Sequence, residues 1–418
     1  MRSALAPLTV VFLLTAACEP GYSTNTSRPI ADIIVASDLP TTSADADRTA
    51  ALAAQHAIEL AVRQQGKIDG FTLSYWPLDD SLAAHANPVR GVENVDRMID
   101  ERRVLGMIGP FSSALAFDEI PEANQANLVM LSPANTNVCL TTQFCDQQQT
   151  ASRPNGVNNY FRIAAPDPLQ GRAMARYLES ANPNIKRVAA FAEWDPPPVG
   201  DLIIKEFAAE LHRHGGELVL QTDLDAGTKD FSKFLVTARD RGAQAIYAVG
   251  DSSDKVCLAR AQMTISLPGA VFLGTDGVTG TSECLTDAGG NNADGMLSTY
   301  IDVDATATKD AKTRIIVDAY RKAYPKALDI SIYTFAAYDC ARILIAAIAQ
   351  AIKANHGGFP TRLQVVTAVA QMRGFKGVTG TYSFDANGDA ISPLMSIWQV
   401  RNGKWVYLQK IDVSPSQT

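Results

Sequence analysis

Ser112 and Ser113 follow Gly109-Pro110-Phe111 and open a helical stretch. Glycine permits close backbone approach, and the first N–H groups of a helix lack partners. Hydroxyls placed there suit a carboxylate or another small anion. A serine at this place also caps a helix with no ligand present, so both readings stand. Thr136, in Ser132-Pro133-Ala134-Asn135-Thr136-Asn137, offers another hydroxyl from a polar loop. Asp276, in Gly274-Thr275-Asp276-Gly277, is a carboxylate flanked by glycines that can hold an ammonium or cap the next helix. Asp251, in Gly250-Asp251-Ser252-Ser253-Asp254, is placed to face the same space, with Ser253 or Asp254 as helix caps. Donors for an anion together with carboxylates for a cation fit a zwitterion such as an α-amino acid. Charge-assisted hydrogen bonds contribute roughly 1.5–3 kcal/mol each. Three or four of them plus apolar burial reach the roughly 8 kcal/mol of a micromolar binder.

Each of these turns follows a short apolar run, and ligands of parallel α/β sheets sit at the carboxyl ends of strands. The predicted strands are Ile33–Ala36, Thr72–Tyr75, Leu105–Ile108, Leu128–Leu131, Val188–Phe191, Glu217–Gln221, Ala245–Val249 and Val271–Leu273. Helical periodicity between them covers Arg48–Gln64, Pro168–Leu178, Gly200–Arg213, Phe231–Arg241 and Asp254–Met263. Alternation at this spacing is the signature of βαβ units. About eight units are too many for one core, so two four-strand sheets are expected, separated by the polar stretch Asn135–Asn159. After Asn291 the pattern changes to helices at Lys309–Tyr324, Tyr333–Ala354 and Arg362–Met372. Strands at Thr381–Phe384, Ser396–Arg401 and Lys404–Gln409 follow, the last two joined by the hairpin signal Asn402-Gly403.

The 418 residues carry a formal charge of −7, with Lys and Arg dispersed, which excludes a nucleic-acid stripe. No G-x-S-x-G, H-E-x-x-H, Walker A or strand-following G-x-G-x-x-G occurs, so neither an enzyme nor a cofactor is expected. His212 and His214 stand two apart on a predicted helix and point to different faces, and no cysteine spacing matches zinc, so no metal is expected. Arg2, the apolar run Leu5–Leu14 and the small residues Thr15-Ala16-Ala17 read as a signal peptide over 1–17. Cys18 directly after them resembles a bacterial lipobox, which implies lipidation of Cys18, with 18–28 as a tether. An ordinary cleavage near Ala17 is the alternative. Removal of 1–17 leaves 36 basic and 44 acidic residues, a charge of −8. In an oxidising compartment Cys139 with Cys145, and Cys257 with Cys284, are possible disulfides, and Cys340 reads as a buried free thiol.

The stretches IGPFSSA (108–114), VMLSPANTN (129–137), FRIAAPDPLQG (161–171), TKDFSKFL (228–235), VFLGTDGV (271–278) and YTFAAYDCARIL (333–344) resemble the solute-binding proteins of branched-chain amino-acid ABC transporters, the Leu/Ile/Val-binding-protein family. The resemblance implies the type I periplasmic binding fold: α/β, two Rossmann-like lobes with parallel sheets joined by a three-segment hinge. Lobe 1 is then expected over 29–163 and 297–378, and lobe 2 over 164–296 and 379–418. It implies that Ser113 meets the ligand carboxylate, that Ala134 and Thr136 supply backbone and hydroxyl contacts, that Asp276 pairs with the ammonium and that Tyr333 forms an aromatic wall. It further implies a monomer in the periplasm or at the cell surface, held to the membrane only by its lipid and handing its solute to an inner-membrane ABC permease. Val199 stands where many members have tyrosine, and Asp251 where another aromatic is found, so the branched aliphatic pocket is altered. The same fold in a lipoprotein that binds a protein partner, a cell-wall synthase regulator or a sensor, is the alternative.

Overall fold

The computed structural model describes residues 32–44, 47–142, 152–193, 199–301, 304–325, 330–331, 333–391 and 394–414. The expected signal peptide and tether, with Cys18, lie outside the described residues.

The first sheet holds β1 (Asp32–Asp38), β2 (Phe71–Leu78), β3 (Val104–Ile108), β4 (Val129–Ser132) and β5 (Tyr160–Arg162). They lie in the order β2-β1-β3-β4-β5, all parallel, with the short strand Lys67–Ile68 antiparallel on the edge. The alternation of a pleated strand divides β1 between two cores. Ile33 and Val35 pack into one apolar cluster, Ile34 and Ala36 into another. Helices α1 (Asp47–Gln65), α2 (Pro88–Asp100) and α3 (Ser113–Gln125) connect the strands. α2 has no counterpart in the sequence-based expectation. It begins on Asn87, whose Oδ1 accepts from the Arg90 N–H at 3.1 Å, with Pro88 at the first helical position.

The second sheet repeats that order and extends it. Its strands are β6 (Arg187–Ala192), β7 (Glu217–Asp223), β8 (Ala245–Val249), β9 (Val271–Gly274), β10 (Leu297–Tyr300), β11 (Leu394–Arg401) and β12 (Lys404–Asp412). The order is β7-β6-β8-β9-β10-β11-β12, and only the pairings of β11 are antiparallel. Two helix layers again cover the faces. Ala190 and Ala192 of β6 pack towards α4 (Pro168–Ala181) and α5 (Val199–Arg213). Ala189 and Phe191 pack towards α6 (Ser232–Asp240) and α7 (Leu258–Ser266). α7 starts four residues after the expected Asp254, because Lys255 sits at φ +71°, outside helical backbone. The short α8 (Ser282–Asp287) carries Cys284, which is disulfide-bonded to Cys257 with the Cα atoms 5.2 Å apart.

Helices α9 (Ala311–Ala323), α10 (Thr334–Ala354) and α11 (Arg362–Ala370) return to the first sheet. α10 is long and apolar enough to cross a membrane, but 78% of that stretch is buried inside the fold, so it is a core helix. The chain crossings differ from the expected 297 and 379. Leu297–Tyr300 is still part of the second sheet, paired with both β9 and β11. Tyr382 and Phe384 still pack in the first core, Phe384 edge-on to Phe161 at 5.3 Å. The passage from Ile163 to Ala164 does change cores.

Candidate functional site

In both sheets the strand order reverses beside the first strand, between β1 and β3 and between β6 and β8. The carboxyl ends at such points form crevices. From the first sheet, the turn after β3 is shaped by Gly109, at φ +127°, where a Cβ would lie 2.3 Å from the Asp38 carbonyl oxygen. Ser112 is the N-cap residue of α3, yet its side chain makes no cap hydrogen bond, so its hydroxyl is not consumed by the helix. Ser113 Oγ accepts from the Asn137 N–H at 3.4 Å and so joins the turn after β3 to the turn after β4. Ser132 Oγ donates to the Pro110 carbonyl at 2.9 Å and accepts from the N–H groups of Ala134 (3.2 Å) and Asn135 (3.0 Å). The Ala134 N–H is therefore already held by the protein. Asn135 is fixed by its amide to the Phe111 carbonyl (2.6 Å) and by the Tyr160 hydroxyl (2.9 Å).

The second sheet answers with acids. Asp276 Oδ1 accepts from Gln170 Nε2 at 2.6 Å, and the Asp276 N–H donates to Gln170 Oε1 at 2.9 Å. Gln170 Nε2 also donates to Asp167 Oδ1 at 3.1 Å, and its Oε1 accepts from the Thr299 hydroxyl at 2.8 Å. One amide thus holds two carboxylates side by side. Burial, then the charge of Asp167, push Asp276 up to about 7. Burial raises Asp167 to about 6, against the lowering effect of Thr136 and Arg162, with Asp251 adding to the rise. Glu193, at the end of β6, is buried, and burial followed by Asp254 raises it to about 8. The Asp167 N–H donates to the Thr136 carbonyl at 3.0 Å, which ties the acidic group to the hydroxyl-bearing loop of the first sheet. Carboxyls held near neutrality in a crevice are poised to ionise when a cation arrives.

Tyr333 stands at the start of α10 and contacts both sides. Its ring centroid is 5.2 Å from Phe111 and 5.8 Å from Tyr300. Asp251 lies against Gly277, where a Cβ would sit 1.9 Å from the carboxylate and 2.8 Å from the Gly250 carbonyl oxygen. Gly277→Ala is expected to displace Asp251 and cost about 1–3 kcal/mol by overpacking. Denaturant titration checks it, and prior removal of the carboxylate in Asp251→Ala should shrink the cost. An enclosed cavity of about 90 Å³ between Asp304, Ser331, Phe335 and Trp398 includes none of the expected residues. It is well below the roughly 300–1,000 Å³ of small-molecule pockets.

The sequence profile of the periplasmic binding proteins matches residues 35–404. The chain belongs to the periplasmic binding protein family. A Leu/Ile/Val-binding protein homologue of Brucella abortus is 26% identical over 386 residues, covering 91% of this chain and 94% of the relative. A leucine-binding protein of Thermotoga maritima has a similar fold, with a TM-score of 0.71 at 24% identity over 91% of this chain and 99% of that one. The branched-chain amino-acid transporter substrate-binding protein of Streptococcus pneumoniae, solved with isoleucine, gives a TM-score of 0.69 at 20% identity over 91% and 99%. These likenesses place the chain among the type I members of the periplasmic binding protein family.

Against that family background, three residues that position the site are absent from the sequence-based expectation. They are Asp167, Gln170 and Arg162, all fully buried. All three lie in FRIAAPDPLQG, and two charges and an amide in an otherwise apolar stretch were the available signal. Cys139 is disulfide-bonded, and its expected partner Cys145 lies outside the described residues, as do residues 194–198 just before Val199. Val199, in place of tyrosine, is buried in the second core.

Proposed function

We propose that this protein captures a small zwitterionic or carboxylated solute, an amino acid foremost, between two closing lobes, without chemical turnover, and passes it to an ABC permease. One observation supports this above the others. The loop that carries Thr136 at one set of strand ends is bonded to Ser113 Oγ through the Asn137 N–H and, through the Thr136 carbonyl, to the Asp167–Gln170–Asp276 group at the other. Ser112, Ser113 and Thr136 hold the anionic end, and Asp276, seconded by Asp251, the cationic end. The Ala134 carbonyl is left for the ligand, since its N–H is committed to Ser132. Tyr333 with Phe111 covers the apolar part. The protein acts outside the cytoplasm as a lipid-anchored monomer.

The acidic floor separates it from a purely aliphatic pocket. Asp251 stands where many members have an aromatic residue and Glu193 is buried just after β6, so a solute with a polar or basic tail is favoured over leucine.

A thermal-shift screen of the purified chain against amino acids, amides, aromatic acids and polyols tests this. Binding to the folded state alone raises the melting midpoint by mass action. A shift with one amino-acid group is expected, and Asp276→Ala should weaken that ligand roughly 10- to 150-fold, the equivalent of about 1.5–3 kcal/mol. A shift only with acids lacking an amine would remove Asp276 from its role. No shift with any solute would favour a protein partner.

A further inference from the structure

Away from the residues assigned above, the first lobe holds a second group of acids. Asp38 ends β1, Asp80 follows β2, and Glu119 projects from the second turn of α3. All three are fully buried. One carboxylate oxygen from each lies within 4.8 Å of the other two. Asp38 Oδ1 accepts from Asn94 Nδ2 at 2.8 Å. Asp38 Oδ2 and both oxygens of Glu119 have no hydrogen-bond partner among the described residues. The neighbouring guanidinium, Arg97, donates to Asn94 Oδ1 at 3.2 Å. α2 closes the site, because a Cβ on Gly91 would lie 2.3 Å from Glu119 Oε1.

Buried anions without partners are untenable: they must take up protons or a cation. Both Glu119 oxygens lack a hydrogen-bond partner among the described residues and face the carboxylates of Asp38 and Asp80, so a cation is the partner that answers all three at once. We propose that Asp38, Asp80 and Glu119 bind one calcium-sized divalent cation. All-carboxylate oxygen donors are hard ligands, which excludes the thiophilic metals. The oxygens lie within 4.8 Å of one another, a separation that a shared Ca²⁺ at about 2.3–2.6 Å can span, whereas Mg²⁺, which dehydrates reluctantly and keeps several waters, suits a fully buried cage of carboxylates less well.

The cation would join β1, the turn after β2 and α3. α3 begins at Ser113, and the Asp38 carbonyl abuts Gly109, so the ion would brace the turn that carries Ser112 and Ser113. Asp38 and Glu119 stand 81 positions apart in the chain, with Asp80 between them, and no local spacing announces them.

The test uses the purified chain, stripped with chelator and dialysed, with no solute present, so its outcome does not depend on solute capture. Calcium is titrated by calorimetry and by thermal unfolding at pH 7.5, with magnesium and manganese as separate arms. One Ca²⁺ per chain and a saturable rise in melting midpoint of about 3 °C or more are expected. Glu119→Gln should abolish that response, yet melt above the metal-free wild type, because it removes a buried charge. Absence of heat and of stabilisation at about 10 mM calcium, beyond the weakest extracellular modules, would overturn the proposal. So would an undiminished response in Glu119→Gln, and binding of magnesium or manganese without calcium would overturn the size assignment.

Discussion

Arg162→Ala is expected to lower the unfolding free energy of the ligand-free protein by about 3–5 kcal/mol. The guanidinium is fully buried and its Nε is 2.6 Å from Asp389 Oδ1. Its other nitrogens donate to the carbonyls of Asn137 (2.7 Å) and Asn135 (3.3 Å) and to Thr141 Oγ1 (2.7 Å). Thr141 in turn donates to Asp389 Oδ2 at 3.0 Å. Alanine would take the ion-pair partner from a largely buried carboxylate and a hydrogen bond from each of two carbonyls, and breaking a buried pair from one side costs far more than replacing both partners. Denaturant titration of Arg162→Ala, Asp389→Asn and the double variant measures this. The double variant should cost clearly less than the sum of the singles. Additive costs, or a loss below about 1 kcal/mol, would mean that the pair is solvated. Because Arg162 grips the carbonyls on either side of Thr136, solute affinity should fall with stability.

The strand-end turns were legible because their information is local. A buried parallel strand reads as a continuous apolar run, and the residues just after Ile108, Leu131, Val249 and Gly274 follow at once. Ser112, Ser113, Thr136, Asp251 and Asp276 were named as candidates in this way. β5 (Tyr160–Arg162) and β10 (Leu297–Tyr300) were missed because three or four residues carry no usable period, and β10 shifted the expected crossing with it. Tyr382 and Phe384 were assigned to the second lobe because sequence cannot show the contact of Phe384 with Phe161. The same limit hid the roles of Gln170 and Arg162, whose partners Asp276 and Asp389 lie 106 and 227 residues away. A serine before a helix is ambiguous in sequence. The structure places Ser112 at the N-cap of α3 without a side-chain cap bond, so the helix leaves its hydroxyl unused.

Affinity for an amino-acid solute is expected to rise about 100-fold between pH 5 and pH 8. Asp276 has its pKa pushed up to about 7, by burial and then by Asp167. At pH 5 roughly one molecule in 100 carries the ionised carboxylate, and at pH 8 most do. The ligand's own ammonium and carboxylate keep their charges across this window, so the protein supplies the titration. If Asp167, at about 6, must ionise as well, the rise is steeper. The ligand-free fold should run the other way. Its Asp276 pKa lies above the ordinary 3.8, so the folded state binds more protons than the unfolded one between about 4 and 7. These groups therefore lower stability as pH rises through that interval and leave it flat above. Isothermal titration across pH, beside thermal melts without ligand, measures both slopes. Asp276→Asn should flatten the affinity profile and lessen the stability slope, with Asp167 still contributing to the latter, whereas a carboxylic acid without an amine should show no gain in affinity at high pH. A wild-type affinity that does not change with pH would place the ammonium elsewhere. The protein would then hold its solute by the hydroxyl side alone, with the acids of the second lobe acting through Gln170 to position the loop of Thr136.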